Sequence, residues 1–513
     1  MNERRVFLAA IISVVFFAGY MQYMTARYPQ LKRQKAQAAS PAGNQEASLQ
    51  SGNALALSPV PDEAVQTLTS EHLKLEIGLQ TGALRAATLQ KYLDEEKQPG
   101  VRFASGYPIA QLTFGDKATW KKQSETAQSV AFQVEDEAGC THAVSYELVP
   151  SKPVVQLRVR SAECAASAPG AHLIGSWSKS TSHSSVQNRL EWDVLTYKEP
   201  GVGKKYSKKT GILRKPYAVP RGTAQVTLTE RYFCQSTRLT GELAQTRLFS
   251  NGESLPVTES LLPNREHSIA IYLGSRDYFE LQQAGFEEAF HVNILGRIGL
   301  VLLAILSWIA GMTHNYGIAI MCFSFLITLV MSPFTLISFR SMKKMQVLQP
   351  QLKKIMDKHK DDQVKANQEV FALYREHRVS PLSGCLPILL QWPLLIALLQ
   401  AITSYTALRG QAFLWIRDLS LPDRLAQLPF VLPILGNELN LLPALMAGAM
   451  FMQTRTSQSG AAVDNSNPTA AMMSGPMMPI LFAVMLYHVP AGLVLYWLTN
   501  SILGTLLYRW AKR

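Results

Sequence analysis

Charge is what this sequence has least of. Asp, Glu, Lys and Arg make up 17% of its 513 residues, where a soluble globular chain carries about 25%. Acidic residues are the scarcer sign: 37 of them face 50 Lys and Arg, a formal net charge of +13. That balance favours acidic partners such as anionic headgroups or nucleic acid. Five cysteines without a CxxC pair exclude a disulfide framework, a zinc ribbon and a thioredoxin-like centre. No Walker motif, HExxH or GxSxG stands in a supporting context, so ATP-driven transport and hydrolysis lack support. No Asp or Glu lies well inside an apolar run, where a proton-coupled pump would need one. Hydrophobic residues, in contrast, reach 47%. They are unevenly patterned: the first half alternates like a water-soluble β protein and the second reads as membrane.

Arg4 and Arg5 precede an uncharged run from Val6 to Met24. A hydrocarbon core about 30 Å thick takes roughly 20 apolar residues as a helix. Residues 1–27 therefore read as a signal-anchor span with a cytoplasmic front end, uncleaved because no clean small-x-small site follows. Residues 28–62, rich in Ala, Gln, Ser, Gly and Pro, read as a flexible tether. From 63 to 280 the period is two: Leu73, Leu75 and Ile77, then Val155, Leu157 and Val159, then Ile269, Ile271 and Leu273 alternate with mostly polar neighbours. This predicts a periplasmic antiparallel β-sandwich. Within 281–314, Ile298 to Met312 is expected to be an interfacial helix, because the run starting at Tyr316 leaves almost no turn for a hairpin. The core, 315–513, holds further spans at 316–339, 386–408, 441–453, 473–489 and 492–508. Six spans with the N-terminus inside place the 340–380 connection and the C-terminus in the cytoplasm. That connection carries ten Lys and Arg against five Asp and Glu, as the positive-inside rule requires.

Candidate functional residues fall in three groups. In the 340–380 connection, Gln349-Pro350 suits a helix start and Asp361-Asp362 a second cap, which predicts an antiparallel helical hairpin. Arg340, Lys343, Lys344, Lys353, Lys354, Lys358 and Lys360 give it a basic surface for anionic lipid or ribosomal RNA, although such charge also serves simply to orient a membrane protein. In the membrane half, Ser324 and Thr328 share one helix face. Gln391 and Trp392 lie in the next span, and Tyr496, Trp497 and Asn500 in the last. Hydroxyls like these either bond back to their own helix or line a wet groove that eases polar segments into lipid, where a charge costs about 2.5–3.5 kcal/mol. In the β half, Cys140 and Cys164 flank a hairpin turning at Pro150-Ser151-Lys152-Pro153. A disulfide and two small buried thiols both remain open, with Cys234 left free. His172 and His183, near Glu191 and Asp193, lack metal-ligand spacing and read as a solvated loop.

Several motifs occur in order: Met331-Ser332-Pro333, Ser341-Met342-Lys343-Lys344-Met345, Leu348-Gln349-Pro350 and Ser380-Pro381-Leu382-Ser383-Gly384-Cys385-Leu386-Pro387. Gln391-Trp392-Pro393, Leu414-Trp415-Ile416-Arg417-Asp418-Leu419 and Pro490-Ala491-Gly492-Leu493-Val494-Leu495-Tyr496 follow. Over residues 315–513 the chain thereby resembles the YidC-type membrane protein insertases, and its anchor, tether and β domain agree in layout with the Gram-negative branch. The resemblance implies a multi-pass α-helical inner-membrane protein of about six spans, with a five-helix core and a large all-β periplasmic domain. It implies no enzyme activity, cofactor or metal. It implies an insertase and chaperone for nascent membrane proteins, working alone or beside the Sec translocon and taking clients from ribosomes partly through the hairpin. Ser324, Thr328, Gln391, Trp392, Tyr496, Trp497 and Asn500 would line or contact its substrate groove. One position departs: the family usually has an arginine five residues before the proline that is Pro333 here, and this chain has Thr328. The expected groove is hydrated but uncharged. A small-solute transporter would call for intramembrane charges or inverted repeats, and a membrane-anchored carbohydrate-acting protein for converging carboxylates or histidines; neither pattern is visible.

Overall fold

The structure is a computed structural model that describes residues 59, 61–93, 99–104, 107–114, 117–161, 171–176, 194–198, 205–209, 217–220, 222–240, 245–250, 256–262, 266–290, 294–359, 362–377, 386–403, 405–432, 435–458 and 477–512. All of these belong to one compact unit. The expected anchor at 1–27 and nearly all of the tether at 28–62 lie outside the described residues, as do His183, Glu191 and Asp193.

The alternating runs become strands because period-two patterning gives each a buried and a wet face. Leu73, Leu75 and Ile77 are fully buried while Lys74 between them is exposed. Among the described residues, the largest sheet has nine antiparallel strands in the order Lys205–Lys209, Val194–Lys198, Gln225–Thr229, Phe233–Thr240, Glu266–Ser275, Val154–Ser161, Thr141–Leu148, Ser129–Glu135 and Thr119–Glu125. A five-stranded sheet runs Tyr217–Val219, Gln245–Ser250, Pro256–Leu262, Ala171–Ser176, Gln111–Thr113, and a four-stranded one spans Val65–Thr69 to Pro99–Phe103. Apolar side chains from all three fill one core, including Leu75, Phe132, Tyr146, Leu248 and Ile271. The hydroxyl of the buried Tyr146 donates to Gly82 O at 2.7 Å, tying two sheets together. Gly82 has φ +61°, and a Cβ there would stand 2.1 Å from the Trp120 ring, so the position needs glycine twice over.

One reading changes here. His172 lies on the Ala171–Ser176 strand and not in a solvated loop; its Nδ1 is 3.0 Å from Glu259 Oε1, and Arg247 Nε donates to the other carboxylate oxygen at 2.5 Å. The Ser-rich neighbourhood hid a strand whose pairing is decided by a partner 87 residues away. Cys140 is disulfide-bonded, with its partner beyond the described residues, whereas Cys234 is free and buried. Burial pushes the Cys234 thiol up to about 12.

A short helix, α1 (Tyr278–Ala284), closes the β region. Asp277 caps it by accepting from the N–H groups of Phe279 and Glu280, and Gly285 ends it at φ 82°. The apolar half follows as α2 (Ile294–Thr313), α3 (Tyr316–Lys358), α4 (Gln363–Glu376), α5 (Leu386–Thr403), α6 (Leu441–Gln458), α7 (Met477–Met485) and α8 (Ala491–Lys512). Stretches of α2, α3 and α8 are long and apolar enough to cross a membrane. Two residues turn α2 into α3: His314 takes φ +51°, and Asn315 caps α3 through the N–H groups of Gly317 and Ile318. Near its start, α2 packs Gly299 against Ala397 and Ala401 of α5, and beyond its end Tyr316 approaches Tyr405 to 3.4 Å. Both ends of α2 thus lie near the same end of the bundle.

The hairpin also differs from its expected form. No break occurs at Gln349-Pro350; α3 continues for 43 residues with Pro333 and Pro350 inside it, a rod of about 65 Å at 1.5 Å per residue. Pro350 is exposed, and flanking Met, Gln, Leu and Lys favour helix. Asp362 does cap α4, accepting from Lys365 N at 3.1 Å. Helix α5 stops at Thr403, short of 408, where a single 3₁₀ turn takes over.

Candidate functional site

The sequence-selected polar residues of the apolar half meet in one seam between α3, α5 and α8. Ser324 Oγ donates to Tyr496 O at 3.2 Å, and Gln391 Nε2 donates to the Tyr496 hydroxyl at 2.7 Å. Thr328 Oγ1 lies 2.8 Å from Ser324 O and 2.9 Å from Asn500 Oδ1. One hydroxyl proton cannot serve both acceptors, but an Asn500 amide turned the other way would donate to the hydroxyl and satisfy each contact. Helical spacing sets up the seam: 324 and 328 are one turn apart on α3, as are 496 and 500 on α8, so two matched edges face each other. Thr328 thus bonds back to its own helix and also across to α8.

Ser324 and Tyr496 are fully buried, with the Tyr496 ring against Phe323. Around them Thr328, Gln391, Trp392, Trp497 and Asn500 are half-buried. The Trp497 ring lies 5.1 Å from that of Phe482 of α7 at a tilt of 48°, and Trp392 packs on the apolar core. No Asp, Glu, Lys or Arg occurs in α3 before Arg340, in α5, or in α8 before Arg509. The arrangement offers hydrogen bonds without charge. Beside it, Phe325, Leu329, Val330 and Ile337 of α3 are exposed, which is what a lipid-facing helix surface requires.

Of the basic residues, Lys343, Lys344, Lys354 and Lys358 are exposed on the far half of α3. Lys358 Nζ and His359 Nε2 lie 3.6 Å and 2.9 Å from Glu369 Oε1, pinning α4 back onto α3. Arg340 and Lys353 lie on α3 with side chains outside the described residues, and Lys360 is outside them altogether. Val347, Val364 and Phe371 are exposed among these cations.

Sequence reasoning missed the joint between the β region and the bundle. Arg231, in the turn between strands Gln225–Thr229 and Phe233–Thr240, is only 9% exposed. Its Nε donates to Thr403 O at 3.1 Å and its Nη2 to Ser420 O at 2.9 Å. The adjacent Tyr232 hydroxyl meets Ser420 Oγ at 3.1 Å, and Thr406 Oγ1 donates to Tyr232 O at 3.1 Å. Arg409 lies over the Phe233 ring at 5.5 Å. A second missed centre is Asp423, whose Oδ2 accepts from Leu441 N and Leu442 N at the start of α6 and from Trp415 Nε1. The only advance signal for either was a charged residue inside a turn, which is too common to single out.

Fold and seam together define a multi-pass α-helical membrane protein joined to a large all-β sandwich. The family model described as 60Kd inner membrane protein matches residues 308–513. A relative from Chlorobium phaeovibrioides, named membrane protein insertase YidC, is 36% identical over 280 residues, 53% of this chain and 47% of that protein. One from Geobacter sp. with the same name is 37% identical over 251 residues, 48% and 43% respectively. The chain spans about half the length of the curated relatives it matches. A solved structure titled as an active YidC insertase with its first transmembrane domain resolved shares 16% identity at a TM-score of 0.39, covering 88% of this chain and 93% of that one. Over its membrane half, the chain is similar to the YidC-type insertases.

Proposed function

We propose that this protein inserts nascent membrane proteins into the inner membrane and assists their folding, with the neutral seam between α3, α5 and α8 as the place where a client's polar end enters. The observation that carries the reading is the seam itself: five hydrogen-bonding side chains on three helices, converging beside exposed apolar surface. A client's peptide or hydroxyl groups could exchange into half-buried Thr328, Gln391 and Asn500 at small cost, because those groups already hold one another in low dielectric. Curated relatives of the membrane half carry the name membrane protein insertase, which supports the same reading.

The rest of the scheme builds on this one. The projecting end of α3 with α4, basic and partly apolar, docks ribosomes and anionic lipid on the cytoplasmic side, and the β region stands in the periplasm. Helix α2, with both ends near one end of the bundle, lies along the outer membrane surface. The Sec translocon is a partner for some clients. A photo-crosslinking amino acid at 328 or 500 should give adducts with ribosome-bound nascent chains of single-span clients, and one at exposed Val301 should not. Adducts absent from 328 and 500, with clients still inserted by reconstituted protein, would remove the seam from the pathway.

A further inference from the structure

The connection between α5 and α6 contains a leucine in a conformation that leucine avoids. Leu414 takes φ +54° and is 73% exposed. A bulky side chain with positive φ is an outlier, and such strain persists only where neighbours fix it. They do. Phe413 and Ile416 exchange both backbone hydrogen bonds at 2.9 Å, closing the turn around Leu414 and Trp415. The Phe413 ring sits against Gly317, where a Cβ would be 2.0 Å from its Cγ. Trp415 Nε1 is 3.3 Å from Asp423 Oδ2, the carboxylate that also caps α6, and Ile416 is buried. A rigid turn thus holds one large apolar side chain outward. The same connection exposes Leu425, Phe430 and Leu439, the last two on the strand pair Ala426–Leu432 and Gly436–Leu439.

We propose that the Leu414 turn and the strands Ala426–Leu432 and Gly436–Leu439 are a lipid-inserting wedge, seated at the headgroup and acyl-chain boundary of the leaflet on the β-region side. Height selects this occupant. The connection joins the ends of two bundle helices, and Arg231 of the β region reaches its carbonyl at Ser420 and the end of α5 at Thr403, so it lies at the β-region end of the bundle. An apolar tip there, with an indole beside it and exposed Arg417 three residues on, has the composition of an interfacial anchor.

The inference rests on the bundle being membrane-embedded, and the test separates the two. In the full chain with Cys322 and Cys385 replaced by alanine, a bimane is attached at Leu414→Cys, Phe430→Cys or, as reference, Leu329→Cys on the exposed face of α3. The protein is reconstituted in phosphatidylethanolamine–phosphatidylglycerol vesicles with nitroxide-bearing lipids. Labels at 414 and 430 should lose about half their emission or more to nitroxides near the headgroup and resist iodide, as for groups ~5–10 Å into the boundary. In a Leu414→Asn background, which tolerates positive φ better than leucine, the 430 label should be quenched less. Iodide quenching at 414 with lipid quenching at 329 overturns the wedge and leaves the membrane reading intact. Iodide quenching at both overturns both. Crosslinking of position 414 to a nascent client, with no lipid quenching, assigns the tip to protein and also overturns the wedge.

Discussion

Arg231→Ala is the sharpest perturbation of the joint between the β region and the bundle. The wild-type guanidinium is nearly buried, gives hydrogen bonds of 3.1 Å and 2.9 Å to two carbonyls, and lies 4.7 Å from the Tyr232 ring. Bonds to a charged donor are worth about 1.5–3 kcal/mol each, and removal leaves two buried acceptors unmatched. The expected loss is about 3 kcal/mol or more, roughly 6–12 °C in the transition of a β region of ~200 residues. Arg231→Lys keeps the charge but reaches one carbonyl, so it should restore about half. Tyr232→Phe removes only the Ser420 contact and should cost ~1 kcal/mol. Calorimetry of the full chain in detergent micelles reads the effect, and loosening the joint should also split one transition into two. An alanine variant with transitions unmoved would mean that Arg231 contributes nothing to holding the two parts together.

Three further outcomes are expected. In the seam, a double-mutant cycle of Gln391→Leu and Tyr496→Phe should give a coupling of about 0.6–1.7 kcal/mol in micelle unfolding, the range for interhelical bonds in membranes; strict additivity would mean the 2.7 Å contact adds no stability. At Glu259, burial acts to raise the pKa, but bonds from His172 and Arg247 outweigh it and hold the carboxyl below its ordinary 4.5. A lowered folded pKa contributes stability that is complete above 4.5 and disappears as pH falls through the folded value. The stability gap between wild type and Glu259→Gln should therefore be full at neutral pH and shrink on acidification; a gap that widens would reverse the assignment. For Cys140, alkylation without reductant followed by mass analysis should leave Cys140 and Cys164 unmodified while exposed Cys322 reacts. Modification at Cys164 with Cys140 protected would assign a different partner.

Much of the architecture could be read without coordinates because it depends on local periodicity. Leu73, Leu75 and Ile77 in step of two can satisfy only a half-buried strand, and a long uncharged run such as that from Tyr316 is stable only as a helix in lipid or in a core. Ser324 and Thr328 were paired by helical repeat alone, and Asp362 was marked as a cap by chemistry that acts over three residues. Where the reading failed, a local signal met a distant partner. Pro350 looked like a helix start but lies within a helix that continues through it, and His172 looked like loop until Glu259 and Arg247 came beside it.

What the sequence determined by itself was therefore the inventory: strands, apolar helices, a neutral set of hydroxyls and amides, and a basic connection. Those follow from each segment's own hydrophobicity and hydrogen-bonding demand. Tertiary structure alone decided which groups meet. Tyr496 finds Ser324 across 172 residues and Gln391 across 105, and Arg231 finds Ser420 across 189. No periodicity encodes such distances, because they are set when buried polar groups on separate elements must find partners away from water.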